Sequence, residues 1–142
     1  MICIIAALMS TEIAAYFDLD GTILDASSEK TLTAHLAIRR PWRIPIGTTM
    51  WSLGFIGNLI RGRSLYDAAR NRGHFALASW DVLEQYSRKL AKEELIQKVP
   101  QIALDRLQWH REQGHRLVLV TATIAPMAEA MARELGLSLI HI

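Results

Sequence analysis

Hydrophobic residues along this chain fall into two kinds of pattern. Two runs are short and continuous: Ile13–Phe17 (IAAYF), closed by Asp18-Leu19-Asp20-Gly21-Thr22, and Arg116–Val120 (RLVLV), entered through Gly114 and left through Thr121-Ala122-Thr123. Unbroken apolar runs of this length, bounded by turn residues, predict strands covered on both faces, as in a parallel sheet. The stretches between them read as helices over roughly 28–39, 46–60, 65–77 and 80–97, with Ser79 capping the last. Pro100 opens a further helix, where its missing N–H is tolerated in the first turn, and Gly114 closes it. After the second strand, Pro126 starts a helix that runs to Leu135 and stops at Gly136. The order strand, helical insert, helix, strand, helix predicts an α/β fold with a parallel sheet and an insertion after its first strand. The core is then expected in residues 12–26 and 99–136, and a helical cap in 27–98. No internal repeat or low-complexity tract interrupts this organisation.

Composition narrows the class. The 142 residues suit one domain, or a core with an insert. With 16 Lys and Arg against 14 Asp and Glu the chain lacks the dense basic character of a protein that lives on phosphate backbones, so nucleic acid is not the expected partner. A hydrophobic fraction of 51% with 21% charged residues is enough for a core and excludes disorder by composition. The lone Cys3 permits no internal disulfide and no cysteine metal cluster, which fits a reducing, cytoplasmic setting. Met1–Leu8 is apolar but has no basic leading region, so it is not read as a targeting segment, and Met9 offers a second plausible start.

The distribution of charge says more than its sum. Between Leu36 and Phe75 there are seven arginines (Arg39, Arg40, Arg43, Arg61, Arg63, Arg70 and Arg72) and one acid, Asp67. The same segment holds the longest uncharged stretch, Ile44–Ile60, whose 17 residues are interrupted by Pro45 and three glycines. It falls short of the roughly 20 apolar residues of a spanning helix. On a helical wheel Ile46, Met50, Leu53, Ile56 and Ile60 lie on one side and Trp51, Phe55 and Leu59 opposite, so the helix is apolar nearly all round. Burial in a helical bundle is the leading expectation. The alternative is peripheral contact with an anionic membrane, at the inner face of a cell membrane, to which flanking arginines are drawn.

The chemistry sits at the strand ends. Ligands of open α/β sheets bind outside the carboxyl ends of strands, which places Asp18, Asp20 and Thr22 beside Thr121 and Thr123. Two carboxylates two residues apart, followed by a glycine that allows a sharp turn and close approach to an anion, suit a site where one carboxylate attacks and the other handles a proton. An anion attacking an anionic phosphoryl group calls for Mg2+, held by one or two carboxylates, phosphate and water. As alternatives, the Asp18–Thr22 segment could be a simple Asx-type turn and Thr121 an ordinary strand residue. His110 and His115 are expected on the solvated surface, and Met127 and Met131, four apart, in the core.

The segment YFDLDGT, Tyr16–Thr22, together with LVLVTAT, Leu117–Thr123, resembles the first two motifs of the haloacid dehalogenase superfamily of hydrolases. The 103 positions from Asp18 to Thr121 match its phosphoserine phosphatase-like branch (subfamily IB), in which a helical cap lies between those motifs. The resemblance implies a Rossmann-like core and a Mg2+-dependent phosphomonoester hydrolase acting through an aspartyl phosphate. By it Asp18 is the nucleophile and a metal ligand. Asp20 is the general acid and then base, and contributes its carbonyl to the metal. Thr121, with Gly21 and Thr22, binds the phosphoryl group of a small phosphorylated substrate. Where the phosphoserine enzymes carry an acid nine positions after the nucleophile, this chain has Ser27, with Asp25 and Glu29 nearby. That departure and the basic apolar cap shift the expected substrate toward other phosphomonoesters, phospholipid types included.

Two further features bear on activity. The superfamily's third motif, a lysine, and its fourth, an acidic pair, have no counterpart: the lysines are Lys30, Lys89, Lys92 and Lys98, and no acid follows Glu134. Leu137–Ile142 (LSLIHI) is the in-frame translation of a transposase mosaic-end sequencing adapter, so these residues are expected to be a scar outside the fold. The expected chain is thus an incomplete core with the first two strands only, marginally folded and inactive or nearly so alone. A non-catalytic protein docking on membranes or partners through its basic apolar helices is the alternative, and a phosphatase module joined to a membrane-lipid enzyme a third reading.

Overall fold

The computed structural model describes residues 13–69 and 71–141. Cys3, the Met1–Leu8 segment, Met9 and Arg70 lie outside the described residues. Strands β1 (Ala14–Phe17), β2 (Arg116–Thr121) and β3 (Ser138–His141) form a parallel sheet in the order β1-β2-β3. The register sets Phe17 opposite Leu119, and Leu119 opposite Leu139. Leu117, Val118 and Leu119 of the central strand are buried, as its continuous apolar run predicts. β1 differs from expectation: Ile13 and Tyr16 are exposed, because the strand stands at the edge of the described sheet.

The third strand corrects the two-strand expectation. Gly136, at φ +64°, ends the preceding helix in the left-handed conformation, and the Leu137 N–H closes on the Ala132 carbonyl at 2.8 Å. The chain is thereby aimed back along β2, whose outer edge offers unpaired backbone groups to the apolar Leu139-Ile140 segment. Ser138 adds a side-chain bond to the Leu117 carbonyl at 2.7 Å. Leu137–Ile142, set aside as a scar on sequence, therefore contributes a paired strand; Ile142 is outside the described residues.

Helices fill the rest: α1 (Ser28–Arg39), α2 (Arg43–Ile60), α3 (Leu65–Ala69), α4 (Trp80–Leu90), α5 (Gln101–Glu112) and α6 (Ala125–Leu135). The single helix expected over 65–77 divides into α3 and a 3-10 turn, Gly73–Leu77. Asn71 marks the break, its side chain donating to the carbonyls of Trp51 at 3.1 Å and Ala68 at 3.3 Å. The helix expected over 80–97 is α-helical only to Leu90, then passes through a π turn, Ala91–Leu95, and a 3-10 turn, Ile96–Lys98. The wider π turn lets Leu90, Ala91 and Leu95 all reach the core, which straight α geometry would not allow for positions five apart.

The core joins both segments of the α/β unit to the cap. Leu19, Ile23 and Leu24 of the first loop, Leu32 of α1, Leu119 of β2, and Met127 and Met131 of α6 are fully buried, the two methionines as expected. His110 and His115 are both partly exposed, and they meet each other. Their Nδ1 atoms lie 2.9 Å apart, and Phe17 packs edge-on against His110 at 5.6 Å.

Helix α2 is the larger correction. It packs on α3 and the 3-10 turn through Gly47, Trp51 and Gly54, with the Trp51 Nε1–H donating to the Ala69 carbonyl at 3.1 Å. The glycines admit neighbouring side chains closely: a Cβ at Gly54 would come within 2.9 Å of Asn71 Oδ1. The opposite face stays open, leaving Leu53 66% and Ile60 82% exposed, so the expected burial in a bundle does not occur. No helix of the described residues is long and apolar enough to cross a membrane.

Leu119→Ala, which empties the centre of the sheet, is expected to lower the unfolding free energy by about 2–5 kcal/mol. Leu53→Ser, on the open face of α2, should change it by no more than about 0.5 kcal/mol. Denaturant unfolding of the two variants beside the parent chain checks both.

Candidate functional site

The loop after β1 buries its apolar residues and keeps its polar ones outside the core. Leu19, Ile23 and Leu24 sink into the core, while the Leu24 N–H bonds the Leu19 carbonyl at 2.9 Å and the Gly21 N–H the Leu24 carbonyl at 2.8 Å. Closing the turn that tightly puts Gly21 at φ +77°, a conformation side chains disfavour. Asp18 and Asp20 are thereby left facing away from the buried leucines, into a cavity of about 920 Å3 at the carboxyl ends of the strands, under the cap.

Each acid has a different setting. Asp18 is exposed at the cavity and its carboxylate takes part in no hydrogen bond or ion pair among the described residues. Asp20 is held on both oxygens: Oδ1 accepts from the Ser28 N–H at 3.1 Å and Oδ2 from the Thr123 hydroxyl at 3.3 Å. Ser28 and Thr123, both buried, also meet each other, Oγ to Oγ1, at 3.3 Å. Thr121 lines the cavity with its Oγ1 accepting from the Thr123 N–H at 3.2 Å, so its own proton remains available to a ligand. The structure thus brings Asp18, Asp20 and Thr121 into one cavity. Gly21 and Thr22 are exposed in the same loop but do not line it.

Several lining residues carried no signal in the sequence. Glu29 receives Arg72 as a two-pronged pair, Nε to Oε2 at 3.1 Å and Nη2 to Oε1 at 2.7 Å, and accepts the Ile124 N–H at 3.0 Å. Arg72 also bonds the Ala122 carbonyl. One carboxylate therefore ties α1, Arg72 before the 3-10 turn and the loop after β2 together. Arg72 is 43 positions from Glu29, so spacing could not have paired them. Asp25, the other acid near this loop, does not line the cavity. Arg39 and Arg40, before α2, are exposed, whereas Arg43, its first residue, is buried and lines the cavity.

The oxygen donors fit a hard cation. Asp18 offers a free carboxylate, and the Asp20 carbonyl accepts no hydrogen bond among the described residues, while the Asp20 carboxylate is already committed. Two protein oxygens with the rest of the shell from water and phosphate is the usual arrangement of Mg2+. Among the described residues no group of three or more His, Cys, Asp or Glu side chains forms a metal cage.

The family model described as haloacid dehalogenase-like hydrolase matches residues 15–142. Two solved structures are similar in fold. One is a protein of unknown function from Bordetella pertussis Tohama I, 24% identical over 90% of this chain and 58% of that chain, with a TM-score of 0.66. The other is a phosphoserine phosphohydrolase-like protein from Francisella tularensis subsp. tularensis SCHU S4, 14% identical over 92% of this chain and 57% of that chain, with a TM-score of 0.56. The chain therefore spans less than two thirds of the length of either. No curated protein matches it.

His74 gives the cavity a pH-sensitive wall. Its Nε2 lies 3.1 Å from Thr33 Oγ1, and burial lowers its pKa from 6.5 against the opposing pull of Glu29. The unfolded chain takes up this proton at higher pH than the folded one, so stability should fall as pH drops below about 6.5 and through the folded pKa. His74→Gln is expected to flatten that part of the profile, measured as denaturation midpoints between roughly pH 5 and 8.

Proposed function

The chain belongs to the haloacid dehalogenase-like hydrolases, and from that membership we propose that it carries the attacking carboxylate of a Mg2+-dependent phosphomonoesterase. The observation that supports this most is the contrast between the two acids: Asp18 is unengaged at the cavity, and Asp20 beside it is fixed by Ser28 and Thr123. An unengaged carboxylate keeps its lone pairs for attack, and a fixed one keeps its orientation for proton transfer. Asp18 attacks phosphorus and the bond to the leaving oxygen breaks as Asp20 gives that oxygen a proton. Asp20 then takes a proton from water, whose oxygen attacks phosphorus, and the bond to Asp18 breaks to release inorganic phosphate. Thr121 donates its hydroxyl proton to a phosphoryl oxygen. Mg2+, held by the Asp18 carboxylate and the Asp20 carbonyl, would neutralise the charge that develops on the phosphoryl oxygens.

The substrate is a small phosphorylated compound. The cavity's Leu36, Ile44, Trp51 and Phe75 favour one with an apolar part, phospholipid types included; the lone Cys3 fits a cytoplasmic site of action. Peripheral membrane contact is the second reading, favoured by the open face of α2. Leu53, Ile56 and Ile60 are exposed on it, Ile38 and Trp42 are exposed just before it, and the exposed Arg39, Arg40, Arg61 and Arg63 flank it in the chain.

Incubation with acetyl phosphate and Mg2+, followed by borohydride reduction, is expected to convert Asp18 to homoserine, seen by peptide mass spectrometry. With no counterpart of the lysine and acidic-pair motifs in the chain, the yield is expected to be small; the signal should vanish without Mg2+ and in Asp18→Asn, and homoserine at another acid counts against the reading. For the membrane contact, co-sedimentation with phosphatidylserine vesicles should drop several-fold in Arg39→Ala/Arg40→Ala and on raising salt. Equal binding to neutral vesicles would exclude it.

A further inference from the structure

Arg43 opens helix α2 in the cap, and its side chain is only 6% exposed. It lines the same cavity as Asp18 and Thr121. Its Nε makes no hydrogen bond, and no ion pair of the described residues includes it. What it has is a cation–π contact, its guanidinium 5.8 Å from the centroid of the Trp42 ring. Nε is thus enclosed without a partner, and the guanidinium meets the cavity with no anion paired to it. Burial and then the neighbouring Arg40 both lower its pKa below the usual arginine range, with Tyr86 opposing. An arginine stays protonated regardless, so the side chain remains a cation. The first turn of α2 adds the positive end of a helix.

The counter-charge does not come from the cavity's own acids. Glu29 is taken by Arg72, and Asp20 by Ser28 and Thr123. Asp18 makes no ion pair with Arg43. We propose that Arg43 is an anion-binding subsite in the cap wall, and that the substrate is a phosphomonoester carrying a second anionic group, a carboxylate or phosphate, on an apolar spacer. The inference rests on the phosphoryl reading of the Asp18 end. The spacer follows from the wall the two ends share, where Leu36, Ile44, Trp51, Phe75 and Leu77 stand among the lining residues. A planar guanidinium takes either anion in a two-pronged bond, so chemistry alone does not choose between them.

The test is a length series. Binding of ω-carboxyalkyl phosphates, α,ω-alkane bisphosphates and plain alkyl phosphates of matched length is measured by calorimetry on the whole chain with Mg2+ present, and amide NMR shifts locate each end. At the best length the second anion is expected to tighten binding about tenfold or more. Whichever of the two series gains more identifies the anion. Arg43→Gln should erase the gain and leave alkyl phosphate affinity within about twofold, and Arg43→Lys should keep part of it. The comparison among ligands on the unaltered chain does not depend on any variant folding. Equal affinity at every length, or a gain that survives Arg43→Gln, overturns the subsite while leaving the phosphoryl reading intact. Alkyl phosphates that fail to shift Asp18 and Thr121, with an Arg43-dependent gain still present, would sink the phosphoryl reading and keep the subsite. No binding by any series overturns both.

Discussion

Parallel pairing of β1 with β2 is the constraint on which the site depends. With Phe17 opposite Leu119, the chain leaves both strands at the same end of the sheet, and the first polar residues after each run, Asp18 and Thr121, are delivered to one cavity. An antiparallel partner would have placed them at opposite ends. The register is held by burial rather than by the polar residues themselves: Leu119 is fully buried in β2, and Leu19, Ile23 and Leu24 anchor the loop that follows β1. A slip of one residue would turn Leu119 out of the core, so the apolar core and the placement of the acids are selected together.

The second level of organisation is electrostatic. Asp20 accepts from α1 and from the loop after β2, and Glu29 accepts from the cap and from that same loop. Two carboxylates thus stitch segments that lie far apart in sequence, through bonds that are partly sheltered from solvent. Because the Arg72 side chain is 41% exposed, the ion pair itself contributes little to stability; its value is geometric, fixing how the cap sits over the strand ends. The third carboxylate, Asp18, the buried cation, Arg43, and the exposed Lys30 line the cavity and are left unpaired by this network. Unmatched opposite charges in one cavity, with apolar residues in its wall, describe the chemistry of a ligand more closely than either charge does alone.

Much of this was legible beforehand. The two strands, the order of the helices and the glycines that end α5 and α6 follow from local pattern, because continuous apolar runs, prolines and left-handed glycines are constrained by neighbours a few residues away. The pairing of the Asp18 loop with Thr121 was legible too, since strand ends in a parallel sheet converge by topology. The helix breaks at Asn71 and Leu90 were not, because they answer to contacts with α2 and with the core rather than to local propensity. Composition alone could not place α2 either: its all-round apolar sequence is compatible with full burial, and only the close packing of Gly47 and Gly54 decided which face is covered.

What the sequence determined by itself is therefore the α/β class, the family motifs and the two acids, each of which depends on residues adjacent in the chain. Tertiary structure decided three things: that Ser138–His141 joins the sheet, that Glu29 pairs with Arg72, and that Arg43 turns inward while Arg39 and Arg40 face out. Each of these is a contact between segments separated by tens of residues or a choice between two helix faces. Such contacts are settled by which surfaces can be buried together, and that competition is visible only once the whole chain is folded.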